Sequence, residues 1–274
     1  MTEEAKTNIT ENINEVHNDP KVYTIDNFLS SDVCEHFISL AKKKGVSEAL
    51  VSDNKKGYVS QGRTGKNTWI SHNTDEITFR TGQKIANLVG LPLGNAEAYQ
   101  IIYYDITQEY KQHYDAWDHN GSEKSRRCMK FGGQRMITAL CYLNTVEEGG
   151  GTGFIKLKKT VNAEKGKLLV FHNTYEGTNK KHNLSEHAGL PVVKGHKWAF
   201  NLWFREDLRT KIVYNPPITE SKKQSELSVT NTSSKSISKD GKIKIYQNAI
   251  SQDVISILTS MIKFSSVDSK ENFW

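Results

Sequence analysis

The chain has 274 residues, of which 36% are hydrophobic and 25% are charged, and its formal net charge is +6 at pH 7. This length predicts one or two domains, and the composition is typical of a soluble globular protein with polar tails. No run of about 18 apolar residues occurs, so a membrane span is not expected.

Charge and cysteine usage argue against further classes of protein. Much of the positive charge comes from a Lys-rich tail and no basic helix stands out, so neither nucleic acid nor a membrane is an expected partner. The three cysteines include no CxxC pair, which argues against a disulfide framework and against a cysteine-based zinc site. The N-terminus shows no signal-peptide pattern, so a cytoplasmic location is expected.

The N-terminal part of the chain predicts a strand followed by a helix. Residues 1–19 are polar and are interpreted as a disordered lead-in, and Val22 to Ile25 are predicted to form a short strand. Ser30 or Ser31 can cap the helix that follows. The apolar stripe of this helix consists of Val33, Phe37, Leu40 and Ala41.

A second helix and a series of strands are predicted next. The helix covers Glu76 to Val89, with Ile77, Ile85 and Val89 at buried positions. Short runs rich in β-branched and aromatic residues follow, separated by Gly, Asn and charged residues. The predicted strands are 98–106, 136–143, 167–171 and 197–204. Helices followed by many short strands predict an α+β domain whose β part is a sandwich or jelly roll.

The predicted domain covers residues 20–214, because Asn215-Pro216-Pro217 ends the patterned block. Residues 215–241 are rich in Ser, Lys, Thr and Gln and predict a polar linker. Residues 242–274 regain apolar periodicity, and Lys242 to Lys263 aligns without gaps on Lys21 to Lys42. Two interpretations stay open for this segment: an ordinary capped amphipathic helix, or the start of a second, similar domain in a longer chain.

His113 and Asp115 are the most informative residues of the sequence. Side chains two positions apart on an extended backbone point the same way, so the pair supplies two members of a 2-His-1-carboxylate triad. Such a triad binds Fe(II) and leaves positions open for a cosubstrate and dioxygen. A His-x-Asp pair is common by chance, so the metal-site prediction depends on whether a second histidine completes the triad. The downstream candidates are His172, His182, His187 and His196.

The segment that begins at His187 carries a specific resemblance. His187 is followed by Pro191-Val192 and then by Gly195, Lys197 and Trp198. This order resembles the prolyl 4-hydroxylase branch of the Fe(II)/2-oxoglutarate dioxygenases, and the resemblance extends from about Val22 to Arg205. Further matching segments are Asn27-Phe28-Leu29-Ser30, Arg63-Thr64 with Trp69, Gly132-Gly133-Gln134-Arg135, Tyr142-Leu143-Asn144 and Glu148-Gly149-Gly150-Gly151-Thr152.

The resemblance implies a double-stranded β-helix core, of the jelly-roll or cupin-like kind, with supporting N-terminal helices. It implies His113, Asp115 and His187 as Fe(II) ligands and Lys197 as the cation for the far carboxylate of 2-oxoglutarate; these are its implied catalytic residues. Tyr104 and Thr152 are the other implied cosubstrate residues. The implied substrate-binding residues are Tyr110, Arg63, Arg135 and Trp203. Arg63 and Trp69 are expected in a flap over the site, with core packing as the alternative for Trp69.

The residue pattern agrees with the role of Lys197. A lysine ammonium is a compact charge with three donors, which suits a carboxylate at a fixed depth. In the predicted strand 197–204, Trp198, Phe200, Leu202 and Phe204 alternate with Lys197, Ala199, Asn201 and Trp203. The first set is expected to face the packing layer and the second set the barrel interior. His172, His182 and His196 are expected at the surface or behind the ligands.

The predicted activity is hydroxylation of a peptidyl proline at C4. The implied cofactors are Fe(II), 2-oxoglutarate and O2, with succinate and CO2 as products and ascorbate as an expected reductant. The expected partner is a Pro-containing peptide or protein, and the oligomeric state is left open. The alternatives are a dioxygenase for a lysyl side chain, a free amino acid or a nucleobase, an inactive module that binds Pro-rich peptides, and a zinc hydrolase with the same ligands. Lys197 disfavours the lysyl and nucleobase oxygenases, which commonly use Arg at this position.

Three features depart from the family pattern and concern the substrate. Thr107 stands where the family often has Gly, and Ile155 stands where a Pro follows the residue matching Phe154. The segment Trp117 to Phe131 is long and basic, and it is predicted to form a mobile loop near the iron.

Overall fold

A computed structural model of the chain describes the backbone of residues 13–52, 57–59, 62–209, 234–236 and 244–246. Side chains are described for residues 13–49 and 62–209. The chain divides into two compact units, residues 1–216 and 217–274.

The first unit contains sixteen described strands and three described α-helices, besides two short 3-10 helices, Leu93–Asn95 and Ile155–Leu157. In chain order they are β1 (Ile13–His17), β2 (Val22–Ile25), α1 (Ser31–Lys44), β3 (Ser47–Glu48), β4 (Leu50–Ser52), β5 (Gly57–Val59), β6 (Lys66–Ile70), α2 (Glu76–Val89), β7 (Tyr99–Tyr104), β8 (Tyr110–His113), α3 (Glu123–Met129), β9 (Arg135–Tyr142), β10 (Glu148–Gly149), β11 (Thr152–Phe154), β12 (Lys159–Val161), β13 (Leu168–His172), β14 (His187–Gly189), β15 (Val192–Lys194) and β16 (Lys197–Arg205). The predicted α+β class and the six longer predicted elements are confirmed, with small shifts at their ends.

Two antiparallel sheets form the core of this unit. The larger has eight strands in the order β1-β2-β13-β9-β16-β7-β6-β3, and the smaller has four in the order β12-β11-β14-β8. A cluster of buried side chains joins the sheets, with Tyr104 and Leu140 from the larger sheet and Phe154 and Val161 from the smaller. The sheets therefore face each other across a shared interior.

The two long helices cover the outer face of the larger sheet. Phe37 of α1 packs against Tyr99 and Phe200 with ring centroids 5.0 Å apart in both pairs. The predicted alternation of β16 is confirmed on the helix side, where its buried side chains are Trp198, Phe200, Leu202 and Phe204. Ala199 lies in the interior cluster between the sheets. This alternation fixes which β16 side chains can reach an internal site.

Helix caps fix the residue at which each long helix begins, and this sets the helix phase, that is, which side chains face the sheet. Ser30 caps α1 by accepting from the Val33 amide, as predicted. In α2, Asp75 and Thr78 form a capping box, and the buried face consists of Thr78, Thr81, Gly82, Ile85 and Ala86. The predicted burial of Ile77 is wrong, because this phase leaves its side chain 38% exposed. No helix in the described part of the chain is long and apolar enough to cross a membrane.

Two predicted irregular segments contain regular structure. Within the predicted lead-in, Ile13–His17 forms β1, which extends the larger sheet by pairing with β2. Within the predicted loop 117–131, Glu123–Met129 forms α3. Ser122 caps α3 by accepting from the Ser125 amide at 3.2 Å, and Glu123 lies in its first turn, where an acid favours a helix. The loop prediction is therefore wrong for these residues.

In the second unit, the described residues form one antiparallel pair of strands, β17 (Ser234–Ser236) and β18 (Lys244–Tyr246). β17 lies within the segment that was predicted to be a linker. The helix predicted within 242–274 lies outside the described residues.

Candidate metal centre

Two histidines lie side by side on neighbouring strands of the smaller sheet. His113 ends β8 and His187 begins β14, and the two are direct partners in the antiparallel register. Their ring centroids are 4.4 Å apart. Asp115 lies two residues beyond β8, so the extended segment that was predicted to carry both residues ends between them. One ligand atom from each of the three residues lies within 4.8 Å of the others.

The backbone sets the orientation of both imidazoles. Nδ1 of His113 donates to the Lys111 carbonyl at 2.8 Å, and Nδ1 of His187 donates to the Ser185 carbonyl at 3.0 Å. The proton is thereby held on Nδ1, so each Nε2 presents its lone pair. Both Nε2 atoms face Asp115, at 3.7 Å from Oδ1 for His113 and 3.6 Å from Oδ2 for His187.

Electrostatics favours the protonation states that a metal ion requires. Burial and the neighbouring His187 hold the pKa of His113 well below its usual value, so its ring is neutral near pH 7. Burial on its own raises the pKa of Asp115, but His187, His113 and Arg135 outweigh it and lower the pKa. A neutral imidazole and an ionised carboxylate are the forms that bind metal ions.

Asp115 is held from behind by two neutral donors. Its carboxylate is 5% exposed, and Oδ2 accepts hydrogen bonds from Thr138 Oγ1 at 2.7 Å and Trp203 Nε1 at 2.8 Å. Oδ1 faces His113 and lies 4.0 Å from Nη1 of Arg135. Oδ1 is therefore the oxygen with lone pairs available for an ion.

Arg135 and Trp203 contact the carboxylates of the core. Arg135 donates to Glu97 through Nε at 2.7 Å and Nη2 at 3.0 Å, and its guanidinium lies 3.8 Å from the ring centroid of Trp203. Trp203 is only 5% exposed. The described contacts of these two residues thus orient Asp115, and their expected contact with a peptide stays a prediction.

Lys197 is a buried cation that has no acidic partner in the described part of the chain. It begins β16 opposite Tyr104 of β7, and it is 1% exposed. Its Nζ lies 5.8 Å from the ring centroid of Tyr104 and 5.2 Å from that of Tyr142. Among the side chains of 13–49 and 62–209, no carboxylate oxygen lies within 4.0 Å of Nζ. Burial lowers the pKa of Lys197 to about 7, so an anion brought beside Nζ would be strongly favoured.

The walls beside Lys197 are hydroxyl-bearing side chains. Tyr104 is 2% exposed and Thr152 is 1% exposed. The Tyr142 hydroxyl donates to Thr152 Oγ1 at 2.7 Å. The structure therefore places Lys197, Tyr104 and Thr152 around the same interior aromatic cluster, and their role in binding a cosubstrate stays a prediction.

Tyr110 lies against His113, and Arg63 lies against Tyr110. Tyr110 stacks on His113 with ring centroids 3.5 Å apart, and the Arg63 guanidinium lies 4.7 Å from the Tyr110 ring. Arg63 is 6% exposed, and its Nη2 donates to Gln100 Oε1 at 2.7 Å. Trp69, by contrast, belongs to β6 of the larger sheet and is 39% exposed.

The three remaining histidine candidates lie outside the cluster of possible ligands. His196 is exposed and His172 is half-buried. His182 is 2% exposed and packs against Tyr175 with ring centroids 4.1 Å apart. His182 is thus a packed interior side chain.

Comparison with known proteins identifies the family of this site. The profile described as "2OG-Fe(II) oxygenase superfamily" matches residues 99–205, a range that contains the His-Asp-His cluster and Lys197. The chain is 32% identical over 198 residues to "Putative prolyl 4-hydroxylase" of Acanthamoeba polyphaga mimivirus, covering 71% of this chain and 77% of that protein. The chain belongs to the prolyl 4-hydroxylase-like branch of the 2OG-Fe(II) oxygenases. It is therefore a 2-oxoglutarate-dependent dioxygenase, and its family implies Fe(II), 2-oxoglutarate and O2.

Two further relatives agree with this assignment. The dioxygenase is 32% identical over 204 residues to "Probable prolyl 4-hydroxylase 7" of Arabidopsis thaliana, covering 67% of this chain and 62% of that protein. The solved viral collagen prolyl hydroxylase of Paramecium Bursaria Chlorella virus-1, in a 2OG complex, matches with a TM-score of 0.55 and 29% identity. The match covers 67% of this chain and 95% of that chain. The predicted double-stranded β-helix is confirmed.

Sequence reasoning missed the side chains that support Asp115. Glu97 is 7% exposed and binds Arg135, while Thr138 binds the carboxylate directly. Asn173 donates to Thr138 through Nδ2 at 2.8 Å. A signal existed for Thr138, because in β9 it shares a face with the apolar interior side chains Leu140 and Tyr142. Glu97 and Asn173 lie outside strands and carried no such pattern.

Proposed function

We propose that this dioxygenase hydroxylates a peptidyl proline at C4, with 2-oxoglutarate and O2 as cosubstrates and succinate and CO2 as products. The observation that carries the proposal is a His-Asp-His cluster that shares one interior with a buried lysine, and this lysine has no carboxylate partner among the described side chains. The prolyl target is supported by the relatives, which are prolyl hydroxylases by name.

His113, Asp115 and His187 are proposed to hold Fe(II). The donor set fits, because two Nε2 lone pairs and the Asp115 carboxylate converge, while both Nδ1 protons are engaged by carbonyls. Three protein ligands leave coordination positions for other molecules. Bound Fe(II) would supply the activation of O2 for oxidation of a C–H bond, and the protein positions the reactants and excludes water.

Lys197 is proposed to bind the far carboxylate of 2-oxoglutarate. A carboxylate beside Nζ would supply a counter-ion, which the described side chains do not provide for this buried cation. Tyr104 and Thr152 would line the same pocket, and the hydrogen bond from Tyr142 holds the Thr152 hydroxyl in place. The depth of Lys197 would thereby set the length of the dicarboxylate that fits.

Tyr110 and Arg63 are proposed to contact the peptide. Tyr110 lies flat against a metal-ligand candidate, His113, so it borders the position where a reacting side chain must lie. Nε of Arg63 is buried without a hydrogen-bond partner among the described residues, and a peptide carbonyl would satisfy it. Arg135 and Trp203 are proposed to act on the same region from beneath Asp115.

The test uses the full chain with Fe(II), 2-oxoglutarate, ascorbate and a set of Pro-rich peptides. We expect succinate formation to rise when a peptide is added, with ascorbate sustaining turnover, and the peptide to gain one oxygen atom. Acid hydrolysis and comparison with standards should identify 4-hydroxyproline. The matched controls are the same peptides with Pro replaced by Ala, a lysyl peptide, free proline and the His187→Ala variant.

Two results would overturn the proposal. One is 2-oxoglutarate turnover that no Pro-containing peptide stimulates. The other is hydroxylation of the lysyl peptide, of free proline or of a Pro-free peptide, which would reassign the substrate while leaving the dioxygenase family intact.

A further inference from the structure

A chain of two hydrogen bonds leads from Asn173 to the metal-ligand candidate Asp115. Asn173 Nδ2 donates to Thr138 Oγ1 at 2.8 Å, and Thr138 Oγ1 donates to Asp115 Oδ2 at 2.7 Å. Asn173 is fully buried, Thr138 is 1% exposed and Asp115 is 5% exposed. These two hydrogen bonds, called the relay below, are therefore shielded from solvent. Hydrogen bonds in such a buried environment are strong, and their loss is costly.

The direction of the relay is set by Asn173. A hydroxyl has one proton, so Thr138 can donate to only one neighbour. Because the Asn173 amide nitrogen can only donate, it occupies a lone pair of Oγ1 and leaves the Thr138 proton for Asp115. An acceptor in place of Nδ2 would draw that proton away from the carboxylate.

The relay determines which carboxylate oxygen is free. Oδ2 accepts from both Thr138 and Trp203, so its lone pairs are largely used. Oδ1 has no such donor at hydrogen-bond distance among the described residues; Nη1 of Arg135 stays at 4.0 Å. Coordination through Oδ1 alone uses one position on the ion, whereas coordination through both oxygens would use two.

Asn173 also touches the segment that carries the second histidine. Its backbone carbonyl accepts from the His182 amide at 2.8 Å and from Ser185 Oγ at 3.4 Å. The Ser185 carbonyl in turn accepts from Nδ1 of His187. Asn173 thus lies at a junction: its side chain leads to Asp115, and its backbone leads to His187.

We propose that Asn173 and Thr138 are positioning residues that restrict Asp115 to metal coordination through Oδ1 alone. The inference rests on the proposed metal site and is independent of the substrate. Coordination through Oδ1 alone would keep a position on the ion open for 2-oxoglutarate or dioxygen.

The test measures Co(II) binding to the metal-free full chain by titration, without substrate or turnover. Thr138→Val removes the donor at nearly constant volume and should weaken Co(II) binding by about 10- to 100-fold, the usual effect of losing a hydrogen bond behind a ligand. Thr138→Ser keeps the hydroxyl and should restore near wild-type affinity. Thr174→Val is the matched control, since Thr174 is a buried neighbour whose hydroxyl contacts Met136.

Asn173→Ala tests the direction of the relay. It removes the side chain and leaves the backbone contacts that lead to His187, so we expect Co(II) binding to weaken by about fivefold. In the Thr138→Val background the same change should have almost no further effect, because the two residues act in series. Both single variants should change the visible spectrum of bound Co(II), since a second carboxylate oxygen would enter the coordination sphere.

Thermal unfolding of the metal-free variants separates positioning from folding. Unchanged Co(II) affinity and spectrum in Thr138→Val, with lower thermal stability, would overturn the proposal and leave a structural role. If Thr138→Val does not fold, an unchanged affinity and spectrum in Asn173→Ala would overturn it equally. Wild-type protein that binds no Co(II) would contradict the metal site itself, whereas a failure to hydroxylate proline would leave the relay standing.

Discussion

Four buried or partly buried cations of the barrel fall into two groups that differ in their partners. Arg135 and Arg205 both donate to Glu97, at 2.7 Å and 2.9 Å. Lys197 and Arg63 have no carboxylate within 4.0 Å among the described side chains. A buried charge without a partner is costly, so a fold retains one where a ligand will provide the partner. We interpret the first group as cations that hold the framework and propose the second group as cations that bind a ligand.

Neutralising Glu97, the acid that the first group shares, should have the largest effect on the free energy of unfolding. Glu97→Gln would leave the buried Arg205 guanidinium and the partly buried Arg135 guanidinium without their shared counter-charge, so we expect the free energy of unfolding to fall by about 3–5 kcal/mol. Urea titration of the metal-free protein measures it. A loss below about 1 kcal/mol, the typical value for an exposed pair, would show that Glu97 does not hold this cluster together.

Removing Lys197, one of the two cations of the second group, should affect binding and not folding. Lys197→Met keeps the apolar stem of the side chain, and we expect the 2-oxoglutarate concentration for half-maximal turnover to rise by about 100-fold, as for a lost charge-assisted hydrogen bond. The unfolding free energy should not fall at neutral pH, because a buried unpaired charge is removed. An unchanged 2-oxoglutarate requirement would assign the carboxylate to another cation, with Arg63→Met as the next variant to measure.

The pH dependence of 2-oxoglutarate binding should reveal the same lysine. Burial lowers the pKa of Lys197 from its usual 10.5 to about 7 in the ligand-free protein, so Nζ is charged below pH 7 and increasingly neutral above it. A carboxylate favours the charged form, so binding above pH 7 must take up a proton. We expect the affinity to fall by up to about tenfold per pH unit above 7.

Calorimetric titration of 2-oxoglutarate into metal-loaded protein, in buffers of different ionisation enthalpy, counts these protons. Uptake approaching one proton at pH 8 is expected for wild type, with the uptake reduced in Lys197→Met. Equal uptake in both proteins would assign the titration to another group.

Breaking an exposed ion pair should change the free energy of unfolding least, and it provides a reference value for the effect of Glu97→Gln. Arg80 and Glu76 of α2 lie 2.6 Å apart with side chains 77% and 55% exposed. Water and salt screen such pairs, so Glu76→Gln should lower the free energy of unfolding by about 0.5 kcal/mol or less. A loss as large as that for Glu97→Gln would mean that burial does not separate the two kinds of pair.

The parts of the site that lie on strands could be predicted from the sequence, and the parts that bridge strands could not. Period-two alternation placed Lys197 among interior side chains and Phe200 among those facing the helices. The partner of His113 was found because His187 precedes a recognisable segment. The support of Asp115 depends on side chains 23 and 88 positions away, Thr138 and Trp203. Only the sheet register brings these together, and one sequence does not contain that register.

The errors have a similar cause. The charged residues of the segment 117–131 were interpreted as a loop, although Ser122 and Glu123 form an ordinary helix start. Ile77 was placed in the core from apolar character alone, and the cap at Asp75 shifted the buried face away from it. Both errors came from weighing composition above the residues that begin a helix.

The most direct test of proline hydroxylation at this site follows the oxygen atoms of ¹⁸O₂ during one reaction with a Pro-rich peptide. We expect one labelled atom in 4-hydroxyproline and the other in succinate, and no label in either product with Asp115→Ala. Label in succinate alone, or product oxygen that comes from water, would contradict the assignment of this site to proline hydroxylation.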